Sequence, residues 1–135
     1  MANYIRKHFP KGTSVLIAVG TGNNGADGIA LGRQLHGEYE VKLYVPFTLH
    51  SAMAKVQFER ATFLGVKTID QISQADVVVD ALFGAGLNRN IDENTEHLLH
   101  QLNAIKAHKI ACDIPTGVGE KGTLMPMAFH ADVTL

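Results

Sequence analysis

Two kinds of hydrophobic pattern alternate along the chain. The first is a short, continuous apolar run, which is typical of a strand covered on both faces. The second places apolar residues three and four positions apart, which is typical of one face of a helix. The runs predict strands at 14–19, 41–45, 77–80 and 110–113, with weaker ones near Val66 and at 132–135. The helical spacings predict helices at 27–35, 51–64 and 95–108, the last capped by Asn94 or Thr95.

The order of these elements predicts the fold class. Strands and helices alternate, and such a rhythm gives right-handed crossovers and a parallel sheet with helices on both faces. We therefore expect an α/β protein with an open, Rossmann-like three-layer αβα fold and a mostly parallel sheet. The chain has 135 residues and shows no repeat, low-complexity tract or linker, which indicates a single domain.

Composition excludes several classes of function. The formal charge is -1, so the chain lacks the net positive field of a dedicated nucleic-acid binder. No apolar run approaches the ~20 residues of a membrane span. The basic opening segment, residues 4–9, lacks the apolar core of a signal peptide, so we expect a cytoplasmic protein. The single cysteine excludes an intramolecular disulfide and a multi-cysteine metal site.

A glycine-rich loop follows the first predicted strand and opens the first predicted helix. Its residues Gly20, Gly22 and Gly25 fit the pattern G-x-G-x-x-G, in which backbone amides approach an anion at a helix N-terminus. The alternative is a tight turn without a ligand. A P-loop is excluded, because no Gly-Lys-Ser/Thr follows. An ordinary NAD dehydrogenase site is disfavoured, because the second predicted strand is not followed by an acidic residue.

Two acidic residues end predicted strands on the same edge of the sheet. Asp80 ends the third long strand and Asp113 the fourth, and ligands of open parallel sheets bind beyond the carboxyl ends of the strands. Asn24, Asp80 and Thr116 offer hard oxygen ligands of low total charge, which suit a monovalent cation better than calcium or magnesium. Asp113 would then be available as an acid or base. Alternatively, either aspartate accepts backbone N–H bonds and only caps a loop.

Four blocks of sequence together resemble the YjeF N-terminal domain family, the NAD(P)H-hydrate epimerases. These blocks are residues 20–28 with Ala30 and 33–35, residues 76–87, residues 111–117 and residues 131–134. The resemblance implies an enzyme that interconverts the R and S forms of hydrated NADH or NADPH, which carry a hydroxyl on carbon 6 of the nicotinamide ring. A partner dehydratase that uses ADP or ATP and is specific for the S form would then restore the cofactor.

The resemblance also assigns roles to individual positions. Asp113 would be the catalytic residue and would contact the substrate, and one potassium ion per subunit would be held by Asn24, Asp80 and Thr116. The other substrate-binding positions are Asn23, Asn24, Gly25, Ala26, Asp27, Gly84, Ala85, Gly86, Leu87, Asn88, Arg89 and Asn90. The dehydratase would be a separate partner or a fused domain, and the resemblance implies a homodimer.

The sequence departs from the family pattern at several points. Ala26 stands where a second glycine is usual, Thr116 where serine is common, and Gly119 where an aspartate often follows. The family domain normally begins with a helical segment bearing a Glu-Asn-Ala motif and extends past the last predicted strand. We therefore expect residues 1–135 to be a single YjeF N-terminal-like domain that is incomplete at both ends.

Other residues have simpler interpretations, and two other functions stay open. His97 and His100 are expected to face solvent, and Cys112 to be a buried, inert thiol. Residues Met53, Phe58, Phe63 and Leu64 are expected to pack in the core. One alternative is a non-catalytic scaffold or RNA-binding module, since the same domain occurs in an mRNA-decapping enhancer. The other is a generic nucleotide or methyl-donor binder.

Overall fold

A computed structural model of the protein describes residues 1–83, 93–113, 115–116 and 128–135. Within these residues the helices are α1 (Ala2–His8), α2 (Asn23–Leu35), α3 (Ala52–Leu64) and α4 (Glu93–Ala104). The strands are β1 (Ser14–Val19), β2 (Glu40–Tyr44), β3 (Lys67–Ile69), β4 (Val77–Ala81), β5 (His108–Ala111) and β6 (Val133–Thr134). None of the helices in this part of the chain has the length and apolar character that crossing a membrane requires.

The strands form one sheet in the order β3-β2-β1-β4-β5-β6, and every pairing between them is parallel. In β1, Ile17 lies beside Leu43 of β2 on one side and Val79 of β4 on the other. The chain builds outward from β1 in one direction and then returns to build outward in the other. This is the doubly wound, Rossmann-type order, so the predicted α/β fold class is confirmed.

Both faces of the central strands are buried. Ile17, Val79 and their neighbours form one core cluster with apolar residues of α1, α2 and α3. Leu16 and Val78 belong to a second cluster, on the opposite face, which includes Leu98, Leu99 and Leu102 of α4. Because successive side chains of a strand point to opposite faces, a strand between two helical layers needs apolar residues at every position. This explains the continuous apolar runs at β1 and β4.

Two glycines let α2 lie close to the sheet. A Cβ atom at Gly28 would come within 2.5 Å of the Ala81 side chain, and one at Gly32 within 2.9 Å of Leu43. Gly28 therefore requires a residue without a side chain, because the Cβ atom of Ala81 cannot move away, whereas at Gly32 the terminal methyl of Leu43 would have to shift. The close contact fixes the start of α2 against the carboxyl end of the central strands.

Several predicted element boundaries shift, most of all at two helices. Helix α2 begins at Asn23, four residues earlier than predicted, because the first turn is built from the glycine-rich loop itself. Helix α4 ends at Ala104, four residues early, since the chain must turn before β5 starts at His108. The capping residue predicted for α4 is wrong. Asn94 and Thr95 both lie inside that helix, which begins at Glu93.

The predicted core role of α3 is wrong for three of four residues. Phe58 packs against the core, but Met53, Phe63 and Leu64 are 54%, 92% and 47% exposed. The reason is that α3 carries apolar residues on both faces, whereas only the face with Ala54 and Ala61 is buried. His97 and His100 are exposed and Cys112 is buried, as predicted.

Candidate functional site

The candidate site lies where β1 and β4 end side by side. Ala18 of β1 is in register with Asp80 of β4, and Val19 with Ala81. The backbone N–H of Gly20 donates to the Ala81 carbonyl at 2.9 Å, so the pairing continues into the glycine-rich loop. This edge is the point where the sheet order reverses, and it is where such folds leave a crevice for ligands.

The glycine-rich loop is held by contacts between backbones. A Cβ atom at Gly20 would overlap the carbonyl of Leu82, and one at Gly25 would overlap the carbonyl of Gly20. Glycine is therefore required at both positions, because the neighbouring backbone leaves no room for a Cβ atom. Gly22 differs, because a Cβ atom there would meet nothing within 4 Å. The loop is thus packed against the end of β4, two residues beyond Asp80.

Asp80 is completely buried and its carboxylate is fully engaged by hydrogen bonds. Its Oδ2 accepts from the Thr116 backbone N–H at 2.7 Å. Its Oδ1 accepts from the Thr116 hydroxyl at 2.8 Å and from the Leu82 N–H at 3.1 Å. The Thr116 hydroxyl in turn accepts from the Phe83 N–H at 3.3 Å. The predicted pair of Asp80 and Thr116 is therefore in direct contact, and it joins the segments that follow β4 and β5.

Burial raises the pKa of the Asp80 carboxyl from 3.8 to about 6, against the hydrogen bonds from Thr116 and Leu82, which lower it. The described residues form no ion pair with this carboxylate. A buried carboxylate with this environment is a position at which a bound cation would be favourable, because the cation would offset the cost of burying the negative charge.

The first turn of α2 presents the two asparagines. The side chain of Asn24 is partly buried, and its amide nitrogen has no hydrogen-bond partner among the residues that the structure describes. Rotating the amide group by 180° exchanges its nitrogen and oxygen without changing its shape. The buried atom would then be a carbonyl oxygen with a free lone pair. Asn23 is exposed, and its Oδ1 accepts from the Ser51 hydroxyl at 3.1 Å.

Ser51 joins the segment after β2 to the same site. Its hydroxyl accepts from the Ala54 N–H at 3.0 Å and so caps the N-terminus of α3. The backbone N–H groups of His50 and Ser51 both donate to the Thr21 carbonyl. The sequence predicted Ser51 only as the start of a helix. Serine is a preferred N-cap residue, so the cap could have been predicted, but the contact with Asn23 depends on the tertiary fold.

Asp113 does not end β5, as the sequence predicted, but lies two residues beyond its last residue, Ala111. Its φ angle is 72°, in the left-handed region that residues other than glycine rarely adopt, and it is the one such residue in the described ranges. Its backbone N–H donates to the Leu135 carbonyl at 2.8 Å, and its side chain is exposed at the site edge. The fold thus holds this carboxylate in an uncommon backbone conformation beside the crevice.

Cys112 is buried near the same end of the sheet. Burial, together with the charges of Asp27, Asp80 and Asp113, raises the pKa of its thiol to about 11. The thiol is therefore protonated at neutral pH, which agrees with the predicted inert cysteine.

The remaining predicted positions divide into two groups. Gly25 and Ala26 are buried in the first turn of α2, so the departure at Ala26 is accommodated in helical backbone, and Asp27 is exposed. The second loop lies outside the described residues, and with it Gly84, Ala85, Gly86, Leu87, Asn88, Arg89 and Asn90, as does Gly119. Among residues 1–83, 93–113, 115–116 and 128–135, no group of three His, Cys, Asp or Glu could hold a metal ion. A carboxylate-rich divalent site is not present there.

One aromatic pair was not found by sequence analysis. Phe47 follows β2 and Phe83 follows β4, and their ring centroids lie 6.0 Å apart at an interplanar angle of 41°. Both rings are half-buried and pack against the core on the α4 side. Nothing in the local sequence of either residue indicates that the two meet, because the contact requires β2 and β4 to flank β1.

Comparisons with known proteins identify relatives of the chain. The chain is 36% identical to an NAD(P)H-hydrate epimerase of Leuconostoc citreum, covering 90% of this chain and 57% of that protein. It is 30% identical to an NAD(P)H-hydrate epimerase of Limosilactobacillus fermentum, covering 97% and 66%. It is 32% identical to the bifunctional NAD(P)H-hydrate repair enzyme Nnr of Thermosynechococcus vestitus, covering 100% and 28%. The chain therefore spans less than two thirds of the length of these relatives.

A solved structure shares the fold. The crystal structure of yeast ynu0 superposes with a TM-score of 0.86 at 22% identity, covering 98% of this chain and 64% of that one. The sequence profile described as "YjeF-related protein N-terminus" matches residues 1–135, the whole chain. From the ordered motifs, the sheet order and this match, the chain belongs to the YjeF-related protein N-terminus family.

Proposed function

We propose that the protein is an NAD(P)H-hydrate epimerase, which interconverts the R and S forms of hydrated NADH and NADPH. The observation that carries the proposal is Asp113, an exposed carboxylate held at φ 72° beyond the carboxyl end of β5, the strand next to the β1–β4 pair at which the sheet order reverses. Strained backbone conformations concentrate at functional sites, where the surrounding structure maintains them. The names of the relatives from Leuconostoc citreum and Limosilactobacillus fermentum support the same activity.

The reaction needs little from the protein beyond a proton transfer. Carbon 6 of the hydrated ring carries both the ring nitrogen and a hydroxyl, so it is a carbinolamine. In one route the hydroxyl loses its proton, the bond from carbon 6 to the ring nitrogen breaks, and the nitrogen takes up a proton. Closure on the other face of the carbonyl inverts the centre. In the other route the hydroxyl takes up a proton and leaves as water, and a water molecule adds from the opposite face and gives the proton back. Both routes require a group that accepts and returns a proton at that oxygen.

We assign this role to Asp113. Its carboxylate would accept the proton of the carbon 6 hydroxyl and return it after inversion. Its fixed backbone conformation would hold the carboxylate in one position throughout, which is the main structural requirement of general acid–base catalysis. Cys112 takes no part, since its thiol is buried and protonated.

The substrate would bind along the first turn of α2 and across the crevice. The N-terminus of a helix favours anions, so the pyrophosphate of the dinucleotide suits this position. Asn23, Asn24 and Gly25 to Asp27 would contact the substrate, with residues 84–90 completing the site. The backbone contacts of Gly20 and Gly25 would support this binding by holding the turn in a fixed position against the end of β4.

The proposed potassium ion would be held by Asp80 of β4, Asn24 of α2 and Thr116 of the segment after β5. Asp80 supplies one buried carboxylate, Thr116 a hydroxyl, and Asn24 a buried amide without a partner. One negative charge with neutral oxygen donors matches a monovalent cation. When bound, the ion would supply positive charge near the pyrophosphate. The protein's own residues would order the loops around it, since Asp80 and Thr116 already join the segments after β4 and β5.

The proposal also names partners and a compartment. Consumption of the S form calls for an NAD(P)H-hydrate dehydratase that uses ADP or ATP, as a separate protein or a fused domain. The bifunctional repair enzymes named Nnr that match this chain support the fused arrangement. We propose a cytoplasmic homodimer with no role in nucleic-acid binding.

A stereospecific assay tests the activity. The full-length protein is added to the pure R hydrate of NADH, and the appearance of the S form is followed by chromatography against an uncatalysed control. An epimerase drives either pure form to the same equilibrium mixture. If full-length, folded protein leaves the R form at the uncatalysed rate, the proposal is wrong, and a non-catalytic scaffold becomes the better interpretation.

A further inference from the structure

The aromatic pair of Phe47 and Phe83 lies beside the carboxyl end of β1. The strands that precede the two residues, β2 and β4, flank β1 and are therefore about 10 Å apart, twice the spacing of neighbouring strands. The ring centroids are nevertheless 6.0 Å apart, although Phe47 lies three residues beyond β2 and Phe83 two residues beyond β4. The two segments thus converge at the end of the strand that leads into the glycine-rich loop.

Both rings belong to segments that are fastened to the candidate site. The Phe83 N–H donates to the Thr116 hydroxyl at 3.3 Å. The segment with Phe47 continues to Ser51, whose N–H donates at 3.2 Å to the carbonyl of Thr21 in the glycine-rich loop. The rings pack against the core on the α4 side and are partly exposed. The pair is therefore a fixed apolar surface with one open side at the edge of the sheet that carries the site.

This surface and Asp113 lie at different points along the same edge. Asp113 follows β5, which is two strands from β1 in the sheet, a distance of about 10 Å. A molecule that contacts both must therefore extend along the edge. A dinucleotide does so, because it carries one ring at each end and the pyrophosphate between them.

The chemistry of the two rings decides which end suits the pair. The hydrated nicotinamide ring is not flat, since its carbon 6 is tetrahedral, and its hydroxyl must reach Asp113. Adenine is flat and aromatic, and bases of this kind stack on aromatic side chains. In ordinary dinucleotide sites an acidic residue after the second strand binds the adenosine ribose. Here residues 45–51, which follow β2, contain Phe47 and no carboxylate.

We propose that Phe47 and Phe83 form the surface on which the adenine ring of the substrate stacks. The inference rests on the proposed function for the identity of the substrate, and it adds the direction in which the dinucleotide lies. Its adenosine end points towards β2 and its reacting ring towards β5. The two phenylalanines are then binding residues, which hold the substrate and take no part in the proton transfer.

ADP-ribose tests this surface without the reaction. It contains the adenine and the pyrophosphate but no nicotinamide, and its affinity for the full-length protein is measured by calorimetry. Phe47→Leu removes the flat ring but keeps an apolar side chain, so it should weaken binding roughly fivefold or more. Phe47→Tyr retains the ring and should bind like the wild type. Phe63→Leu makes the same change at a 92% exposed position of α3, and this matched control should also bind like the wild type.

A truncated substrate tests which ring lies on the pair. The hydrate of reduced nicotinamide mononucleotide has the reacting ring but no adenine, so the wild type should show a lower kcat/KM for it than for hydrated NADH. Phe47→Leu should reduce this preference roughly fivefold or more, because only the larger substrate loses a contact. A general defect in folding or catalysis would lower both values and leave their ratio unchanged. Thermal unfolding verifies that each variant is folded.

The outcomes separate this inference from the proposed function. Equal affinity of the wild type and Phe47→Leu for ADP-ribose would overturn the inference, and so would an unchanged substrate preference. Absence of ADP-ribose binding by the wild type at about 1 mM would overturn it as well. Binding that depends on Phe47, in a protein that does not epimerise the hydrate, would support the adenine surface and refute the proposed function.

Discussion

Thr116 engages both oxygens of the Asp80 carboxylate, one through its backbone N–H at 2.7 Å and the other through its hydroxyl at 2.8 Å. A single residue in the segment after β5 thus donates hydrogen bonds to both oxygens of a carboxylate that is buried in β4. The contact holds the two segments at the same edge of the sheet, and it explains why a hydroxyl residue follows the Asp-Ile-Pro sequence.

Removing that hydroxyl should destabilise the fold. Thr116→Val keeps the shape of the side chain but leaves Asp80 Oδ1 with one donor fewer and the Phe83 N–H without its acceptor. We expect a loss of about 1–3 kcal/mol in the free energy of unfolding, measured with urea. Thr116→Ser retains the hydroxyl and should lose far less. Equal stability of the valine variant and the wild type would contradict this role.

The raised pKa of Asp80 predicts a pH-dependent effect of potassium. Its pKa is about 6 in the folded protein, compared with 3.8 ordinarily, so the folded state binds the proton more tightly than the unfolded state. The stability that this group contributes is therefore complete below about pH 4 and is lost as the pH rises through about 6. A cation that binds the ionised carboxylate should recover it.

We expect potassium chloride to raise the thermal midpoint more at about pH 8 than at about pH 5, relative to tetramethylammonium chloride. The comparison salt keeps the ionic strength constant. Asp80→Asn, which removes the titrating group, should abolish the difference between the two pH values. An equal response to both salts at about pH 8 would count against a potassium site at Asp80.

Two glycines of the same loop should respond very differently to alanine. Gly25→Ala would drive a methyl group into the backbone of Gly20, so we expect a loss of at least about 2 kcal/mol of stability or a displaced loop. Gly22→Ala is the matched control. A methyl group there meets nothing within 4 Å, and it should cost less than about 1 kcal/mol as a changed helix cap. Urea unfolding of the two variants distinguishes them, and similar losses would refute the packing argument.

Ser51 should influence substrate binding through Asn23. Ser51→Ala removes the cap of α3, at a cost of about 1 kcal/mol, and also the hydrogen bond to Asn23 Oδ1. We expect KM for the hydrate to rise severalfold with little change in kcat, because Asn23 would bind but not react. Ser51→Thr keeps both hydrogen bonds and should behave like the wild type. An unchanged KM in the alanine variant would show that Ser51 does not position Asn23.

The central strands were predictable because each rests on a local pattern. The apolar runs predicted β1 and β4 with Asp80 near the carboxyl end of β4, whereas Asp113 lies two residues beyond β5. The hydrogen bonds between Asp80 and Thr116 were not predictable, since 36 residues separate the two and only the adjacency of β4 and β5 brings them together.

Helix α3 shows why the burial of apolar residues was harder to predict. Phe58 and Phe63 look alike in the sequence, but one packs against the core and the other is 92% exposed. A helix with apolar residues on both faces does not reveal which face is covered, because that depends on its partner, α2. The sequence likewise does not specify the positive φ of Asp113. This φ occurs in the turn after β5, which ends at Ala111, where the Asp113 N–H donates to the Leu135 carbonyl.

The measurement that tests the account most directly compares wild-type protein with Asp113→Asn in converting the R hydrate of NADH to the S form. Asparagine tolerates positive φ, so the variant should fold normally, which thermal unfolding verifies. The account predicts that the wild type reaches the equilibrium mixture and that the variant is roughly 100-fold slower or worse, because the proton acceptor is gone. A folded variant that epimerises at the wild-type rate would contradict it.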